Sequence, residues 1–320
     1  MVGGREGIGP EIVVIEGPTA TGKTDLALDL AELLGGPNAV EIVNADSMQV
    51  YRGMDIGTAK LPIEQRRDIP HHLFDVWPIQ HHVTVAEYQE RARESIDGVR
   101  SRSRVPILVG GSGLYIKAVI DDLAFPGTEP AVRARLEAEV RVHGTFALHR
   151  RLAALDPGAA ARILPSNGRR IVRALEVIEI TGEPFRAQLP GAGPPGVEHY
   201  RAVQVGLDRP SDDLNARIGQ RVHHMWRLGF VDEVRSLAAT GLAATRTASK
   251  ALGYQQVLRM LAGEISESEA VEQTISATRR FARKQRAWFR RDPRISWYDA
   301  ATPGLAERVL GTIGQWPANA

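Results

Sequence analysis

Near the N-terminus the string Gly17-Pro-Thr-Ala-Thr-Gly-Lys-Thr24 has the residue types and spacing of a phosphate-binding loop, G-x-x-x-x-G-K-[ST]. Gly17 and Gly22 let backbone amides turn inward on a phosphate chain, with Pro18, Thr19, Ala20 and Thr21 spanning the turn. Lys23 is placed to reach a terminal phosphate oxygen, and the Thr24 hydroxyl to hold Mg²⁺. Such a loop calls for a diphosphate or triphosphate and is silent about hydrolysis. A nucleotide-hydrolysing site would carry an apolar strand ending in Asp to order the metal. Here the apolar run 105–109 ends instead in Gly110-Gly-Ser-Gly113. The strand-terminal carboxylate nearby is Asp46, which is either a metal-ordering group or a general base. The polar and aromatic stretch that follows it, Ser47-Met-Gln-Val-Tyr51-Arg52, favours the base, because it suits a large ligand. The glycine-rich loop with Ser112 adds donors for a phosphate or a nucleobase.

These residues need strands behind them and helices after them. Residues 11–15 form a β-branched apolar run stopped by Gly17-Pro18, and residues 23–34 follow with Leu26, Leu30, Leu33 and Leu34 on one helical face. Residues 39–43 and 105–109 read as further strands. Strands alternating with helices of about a dozen residues predict a parallel sheet with crossover helices. All three strands end in the candidate chemistry, where open parallel sheets bind ligands. After Ile120 the pattern changes: residues 130–151 and 166–181 are helical and charged, with no strong strand between them. The run Gly191-Ala-Gly-Pro-Pro-Gly196 has the composition of a hinge. Strand character resumes at 200–205, and long helices run from Ser211 onward. The fold class expected is α/β: a P-loop parallel-sheet core, 1–121 and 199–320, interrupted by an all-helical insertion, 122–198.

The chain has 320 residues, 43% hydrophobic and 24% charged, which is enough for a substantial core and rules out a disordered chain. It holds no run of about 18 apolar residues and no apolar segment within residues 1–10, so a cytoplasmic protein is expected. Zero cysteines exclude disulfides, thiolate metal sites and thiol catalysis. The adjacent histidine pairs share no helix face, and no metal role is expected for them. Net charge is only +2, yet residues 279–294 carry eight cations against the single acid Asp292. Arginine outnumbers lysine throughout. Genomic base composition explains that count; the concentration at 279–294 fits phosphate contacts better.

The strings GPTATGKT, NADSMQVYRGMDIGTAK, VGGSGLY, GRRIVRALEV and TRRFARKQRAWFRR, in this order, resemble the tRNA dimethylallyltransferase family over about residues 12–297. That resemblance implies transfer of a dimethylallyl group from dimethylallyl diphosphate to N6 of the adenosine 3′-adjacent to the anticodon of tRNA. Diphosphate leaves and no ATP is consumed. It implies Asp46 as general base, Ser112 (usually Thr in the family) on the adenine or phosphate side, and Arg221 on the diphosphate. It further implies that Ser47, Met48 and Gln49 contact the nucleotides around the target base. Arg169, Arg170 and Arg173, after a Ser166-Asn167 cap, face the anticodon stem-loop, and Arg133 and Lys250 also lie at positions that meet tRNA. A monomer dependent on Mg²⁺ is expected. The competing expectations are a small-molecule kinase, a non-catalytic RNA-binding protein, and a related enzyme that prenylates free adenylate.

Overall fold

The computed structural model describes residues 10–123, 125–185 and 198–314. The chain divides into two compact units, Met1–Leu123 with Pro195–Ala320, and Ala124–Pro194. The first is built on β1 (Ile12–Glu16), β2 (Val40–Asn44), β3 (His71–His72), β4 (Val105–Gly110), β5 (Ala202–Asp208) and β6 (Ser296–Asp299). They form one sheet in the order β3-β2-β4-β1-β5-β6, and every pairing is parallel. Its helices are α1 (Lys23–Leu33), α2 (Val85–Ser101), α3 (Gly113–Ile120), α7 (Ser211–Arg227), α8 (Phe230–Ala239), α9 (Tyr254–Leu261), α10 (Glu267–Phe289) and α11 (Leu305–Ile313). The second unit holds α4 (Pro130–Leu155), α5 (Pro157–Arg162) and α6 (Gly168–Thr181).

The unbroken apolar character of β1 follows from its central place, with helices on both sheet faces. Ile12 and Val14 point into one core, with Val43, Leu108 and the α2 residues Tyr88 and Ile96. Val13 and Ile15 point into the other, with Ile42, Ile107, α1 and the α11 residues Val309 and Ile313. Each such side chain contributes about 1.5–3 kcal/mol by leaving water. Because α1 is gripped by both sheet and α11, its buried set is Leu26, Ala27, Leu28, Leu30 and Ala31. Leu33, expected on that face, is 44% exposed.

In the helical unit, Leu136, Leu148 and Leu152 of α4 pack on Ile171, Val172 and Leu175 of α6. The single helix expected over 130–151 is broken at Gly144, whose φ of 78° and ψ of 165° no helix accommodates. Asn167 caps α6 as expected, its Oδ1 accepting from the Arg170 amide at 3.3 Å. A purely helical C-terminal portion is also corrected: β6 adds an edge strand after α10, and the Trp297 ring lies against Gly206 of β5. The glycine-proline run at 191–196 lies outside the described residues. No described helix is long and apolar enough to cross a membrane.

Candidate active site

Three strand ends, β1, β2 and β4, converge on one cavity of about 690 Å³. The loop after β1 supplies Thr19, Ala20, Gly22, Lys23 and Thr24 to its wall; Asp46 and Gln49 come from the segment after β2, and Gly110 and Gly111 from β4 and its exit. Across from the loop, α7 contributes Arg217, Gln220, Arg221 and His224.

The first glycine of the loop is obligatory on geometric grounds. Gly17 has φ of 140°, and a Cβ there would sit 2.3 Å from the Leu207 carbonyl oxygen of β5. The chain then turns into α1, whose N-terminus receives no side-chain cap. Its first amides therefore have no intrahelical acceptor and are oriented for an anion. Pro18 and Thr21 shape the turn: the Pro18 carbonyl accepts from Thr21 Oγ1 at 2.9 Å and from Lys23 Nζ at 2.7 Å.

Cations crowd this loop. Arg221 Nη2 donates to Thr19 Oγ1 at 2.5 Å, and Arg217 Nε donates to the Ala20 carbonyl at 3.1 Å. Arg221 Nε is buried without a hydrogen-bond partner among the described residues. Burial, and then the neighbouring Arg221 charge, push the Lys23 ammonium down to about 7, with Asp46 opposing them. Burial and Arg217 likewise lower Arg221, again opposed by Asp46. Positive groups held this close, only partly offset by Asp46, are what a diphosphate would relieve.

Asp46 is oriented by its own backbone neighbourhood. Its Oδ1 accepts from the amides of Met48 at 2.8 Å and Gln49 at 3.4 Å, and its amide donates to Asn44 Oδ1 at 3.0 Å. Asn44 in turn donates to the Leu73 carbonyl at 3.1 Å, and its own carbonyl accepts from the Tyr88 hydroxyl at 2.8 Å. Among the described residues no hydrogen bond engages Asp46 Oδ2. A carboxylate with one oxygen anchored and the other facing a cavity is arranged to take a proton.

Ser112 accepts from the Ser47 amide at 3.1 Å and donates to Ser47 Oγ at 3.2 Å, so it braces the Asp46 segment while Gly110 and Gly111 line the cavity beside it. Ser47 and Met48 stand next to the cavity without lining it. Gln49 lines it, and its Nε2 donates to the carbonyls of Thr58 at 3.0 Å and Ala59 at 3.3 Å. Lys250 is exposed at the end of a 3-10 turn, away from the cavity. In the helical unit Arg169 is exposed and Arg170 half-buried. Arg133 and Arg173 both grip the fully buried Glu176, and Arg173 also donates to the carbonyls of Pro126 at 2.5 Å and Gly127 at 3.0 Å. These two guanidiniums are built into that unit rather than held out from it.

Among the described residues, three of the eight cations in the basic tract are paired with acids inside the fold. Arg286 and Arg290 pair with Asp208, and Arg294 pairs with Asp121, Asp292 and Glu198. Of its aromatics, Phe289 is buried while Phe281 is 40% exposed and lines the cavity. No cluster of three or more His, Cys, Asp or Glu suited to a metal occurs among the described residues.

The IPP transferase family model matches residues 49–292. The tRNA dimethylallyltransferase of Salinispora arenicola is 59% identical over 94% of this chain and 86% of its own length. This chain belongs to the IPP transferase family. A solved structure, the full-length tRNA isopentenylpyrophosphate transferase of Bacillus halodurans, is 37% identical, with a TM-score of 0.68 over 94% of this chain and 96% of that one. A eukaryotic dimethylallyltransferase acting on tRNA, 23% identical, shares the fold at a TM-score of 0.77 over 93% of this chain and 77% of that one. The phosphate loop and Asp46 lie ahead of the family-model match.

Several residues of this family member's site escaped sequence reasoning. Arg217 precedes Arg221 by one helical turn, a signal that was available. Glu233 was not legible: it accepts from the amides of Asp55, Ile56 and Gly57 at 3.1, 2.6 and 3.2 Å, and from the Tyr254 hydroxyl at 2.6 Å. It thereby holds the loop that carries the acceptors of Gln49. Nothing in its local sequence marks it.

Proposed function

We propose that this chain transfers a dimethylallyl group from dimethylallyl diphosphate to N6 of the adenosine 3′-adjacent to the anticodon of tRNA, releasing diphosphate. The observation that carries the reading is one cavity with a cation-rich phosphate loop on one wall and the oriented Asp46 carboxylate on another. The names of relatives at up to 59% identity support it.

In this reading the N6 lone pair forms the new bond to the allylic carbon as that carbon's bond to the diphosphate oxygen breaks. Asp46 accepts the N6 proton, a role that contributes about 10²–10⁴-fold. Lys23, Arg221 and the α1 amides stabilise the charge growing on the leaving diphosphate, more in the transition state than before it. The Thr24 hydroxyl on the cavity wall is a hard oxygen donor that fits Mg²⁺, which is commonly held by few protein groups together with substrate phosphates. When bound with the donor, Mg²⁺ supplies further neutralisation of diphosphate charge. ATP takes no part.

The target base leaves its stack to enter the cavity. Ser47, Met48 and Gln49 flank it, with Ser112 fixing Ser47. Arg169, Arg170 and Lys250 meet the tRNA backbone, while Arg133 and Arg173 act by shaping the helical unit. The test is Asp46→Ala and Asp46→Asn: tRNA prenylation slows by about 10²–10⁴-fold while the protein still binds the donor. Modification at the wild-type rate would remove Asp46 from the mechanism.

A further inference from the structure

The 279–294 tract contains one uncharged polar residue among its cations, Gln285, and it is the one turned inward. Thr278, Ala282, Gln285 and Phe289 form the buried stripe of α10 at helical spacing, and Gln285 is 7% exposed. Its Oε1 accepts from the Thr19 amide of the phosphate loop at 2.9 Å. Its Nε2 donates to the Gly111 carbonyl at 2.8 Å, in the loop next to Ser112. One amide thus joins the two cavity loops, by contacts 266 and 174 residues apart in sequence. The fit leaves no spare room: a Cβ on Gly111 would lie 2.4 Å from Gln285 Nε2.

We infer that Gln285 is a positioning residue that fixes the distance between the diphosphate loop and the loop bracing Asp46. The inference rests on the prenyl-transfer reading for its kinetic consequence, not for its geometry. Gln285 directs both amide atoms to backbone groups, so its effect runs through the loops it joins. An amide supplies both bonds, one acceptor and one donor, at the end of a side chain of this length, whereas an ionised Glu only accepts. Donor binding depends mainly on contacts within the phosphate loop and α7. Transfer depends on that loop's alignment with Asp46, where a displacement of about 1 Å can cost about 10²-fold.

The experiment compares wild type with Gln285→Met, which keeps length and removes both bonds, in single turnovers with saturating dimethylallyl diphosphate and unmodified tRNA. The expected result is a rate constant lower by about 10–10²-fold with unchanged amplitude and little change in donor affinity. Amide hydrogen exchange becomes faster in peptides covering residues 17–23 and 110–113. A lower amplitude at the wild-type rate constant, as simple loss of folded protein would give, overturns the inference. Should Gln285→Met fold poorly, Gly111→Ala approaches the same contact from the other side. It slows transfer with Gln285 intact and speeds exchange in the same peptides; a Gly111→Ala protein that transfers at the wild-type rate overturns the inference. A wild-type protein that yields no prenylated tRNA overturns the assigned reaction instead, and the exchange measurement still decides whether the clamp exists.

Discussion

Lys23 gives the sharpest quantitative expectation, because its charge is contested. Burial and the adjacent Arg221 bring it from the ordinary 10.5 down to about 7 in the ligand-free protein. A diphosphate needs the protonated form, and once bound it stabilises that form by its own charge. The free enzyme and the donor complex therefore titrate differently. At pH 9, two units above the free value, only about 1 in 100 molecules retains the Lys23 proton. The parameter kcat/KM for dimethylallyl diphosphate, which at saturating tRNA reports the donor-free complex, should approach its plateau toward pH 6. Above pH 7 the parameter falls about tenfold per unit, to about 1% of its plateau at pH 9, while kcat stays nearly level. Phosphate ionisation near pH 6 is about nine-tenths complete at pH 7 and raises rather than lowers donor charge, so it cannot produce the fall above pH 7. Steady-state rates at saturating tRNA over pH 6–9 measure both parameters, and Lys23→Arg should flatten the fall because guanidinium keeps its proton. Stability moves the other way. The unfolded chain holds this proton up to about 10.5 and the folded chain releases it near 7, so the ligand-free protein gains stability as pH rises between those values. A wild-type kcat/KM that is level from pH 6 to 9 would refute the picture of a crowded, desolvated lysine.

Three further expectations follow from groups outside the phosphate loop. Glu16, at the end of β1, is raised to about 8, first by burial and next by Asp292, with Lys117 and Arg294 opposing. Its stabilising proton is fully effective below the ordinary 4.5 and lost as pH rises through 8, so Glu16→Gln should gain most thermal stability over wild type at pH 9 and less at pH 6; an equal Tm difference at both pH values contradicts this. In the helical unit, Arg169→Ala should reduce the slope of log tRNA affinity against log salt by about one phosphate contact. Arg133→Ala should instead lower the thermal stability of that unit by leaving Glu176 short of a partner; the opposite assignment of effects would sink the division drawn between exposed and internal arginines.

Local patterns were legible because local physics produces them. The loop between Gly17 and Thr24 announces itself, since a chain that cradles phosphate needs glycine and lysine at fixed offsets. The β-branched runs ending at Ile15, Val43 and Val109 identify a parallel sheet, and the resemblance supplied the family and its reaction. What was not legible depends on partners distant in sequence. The amide of Gln285 and the carboxylate of Glu233 acquire their roles from backbone groups more than 170 residues away. Three of the eight cations in the tract, Arg286, Arg290 and Arg294, meet acids distant in sequence, Asp208 and Asp121 among them, which local pattern could not show. The pairing of Arg133 and Arg173 with Glu176 was likewise not legible. Two misses had local signals: Gly144 within the long helix, and the short aromatic run Ser296–Asp299 that became an edge strand.

The central claim is that one cavity brings a prenyl diphosphate and a tRNA adenosine together. Its most direct test incubates the protein with unmodified tRNA, dimethylallyl diphosphate and Mg²⁺ in the absence of ATP, followed by nucleoside mass spectrometry. The account predicts a single five-carbon prenyl addition on the adenosine 3′-adjacent to the anticodon, with diphosphate released in equal amount. Unmodified nucleosides from tRNA that the protein nonetheless binds would contradict it.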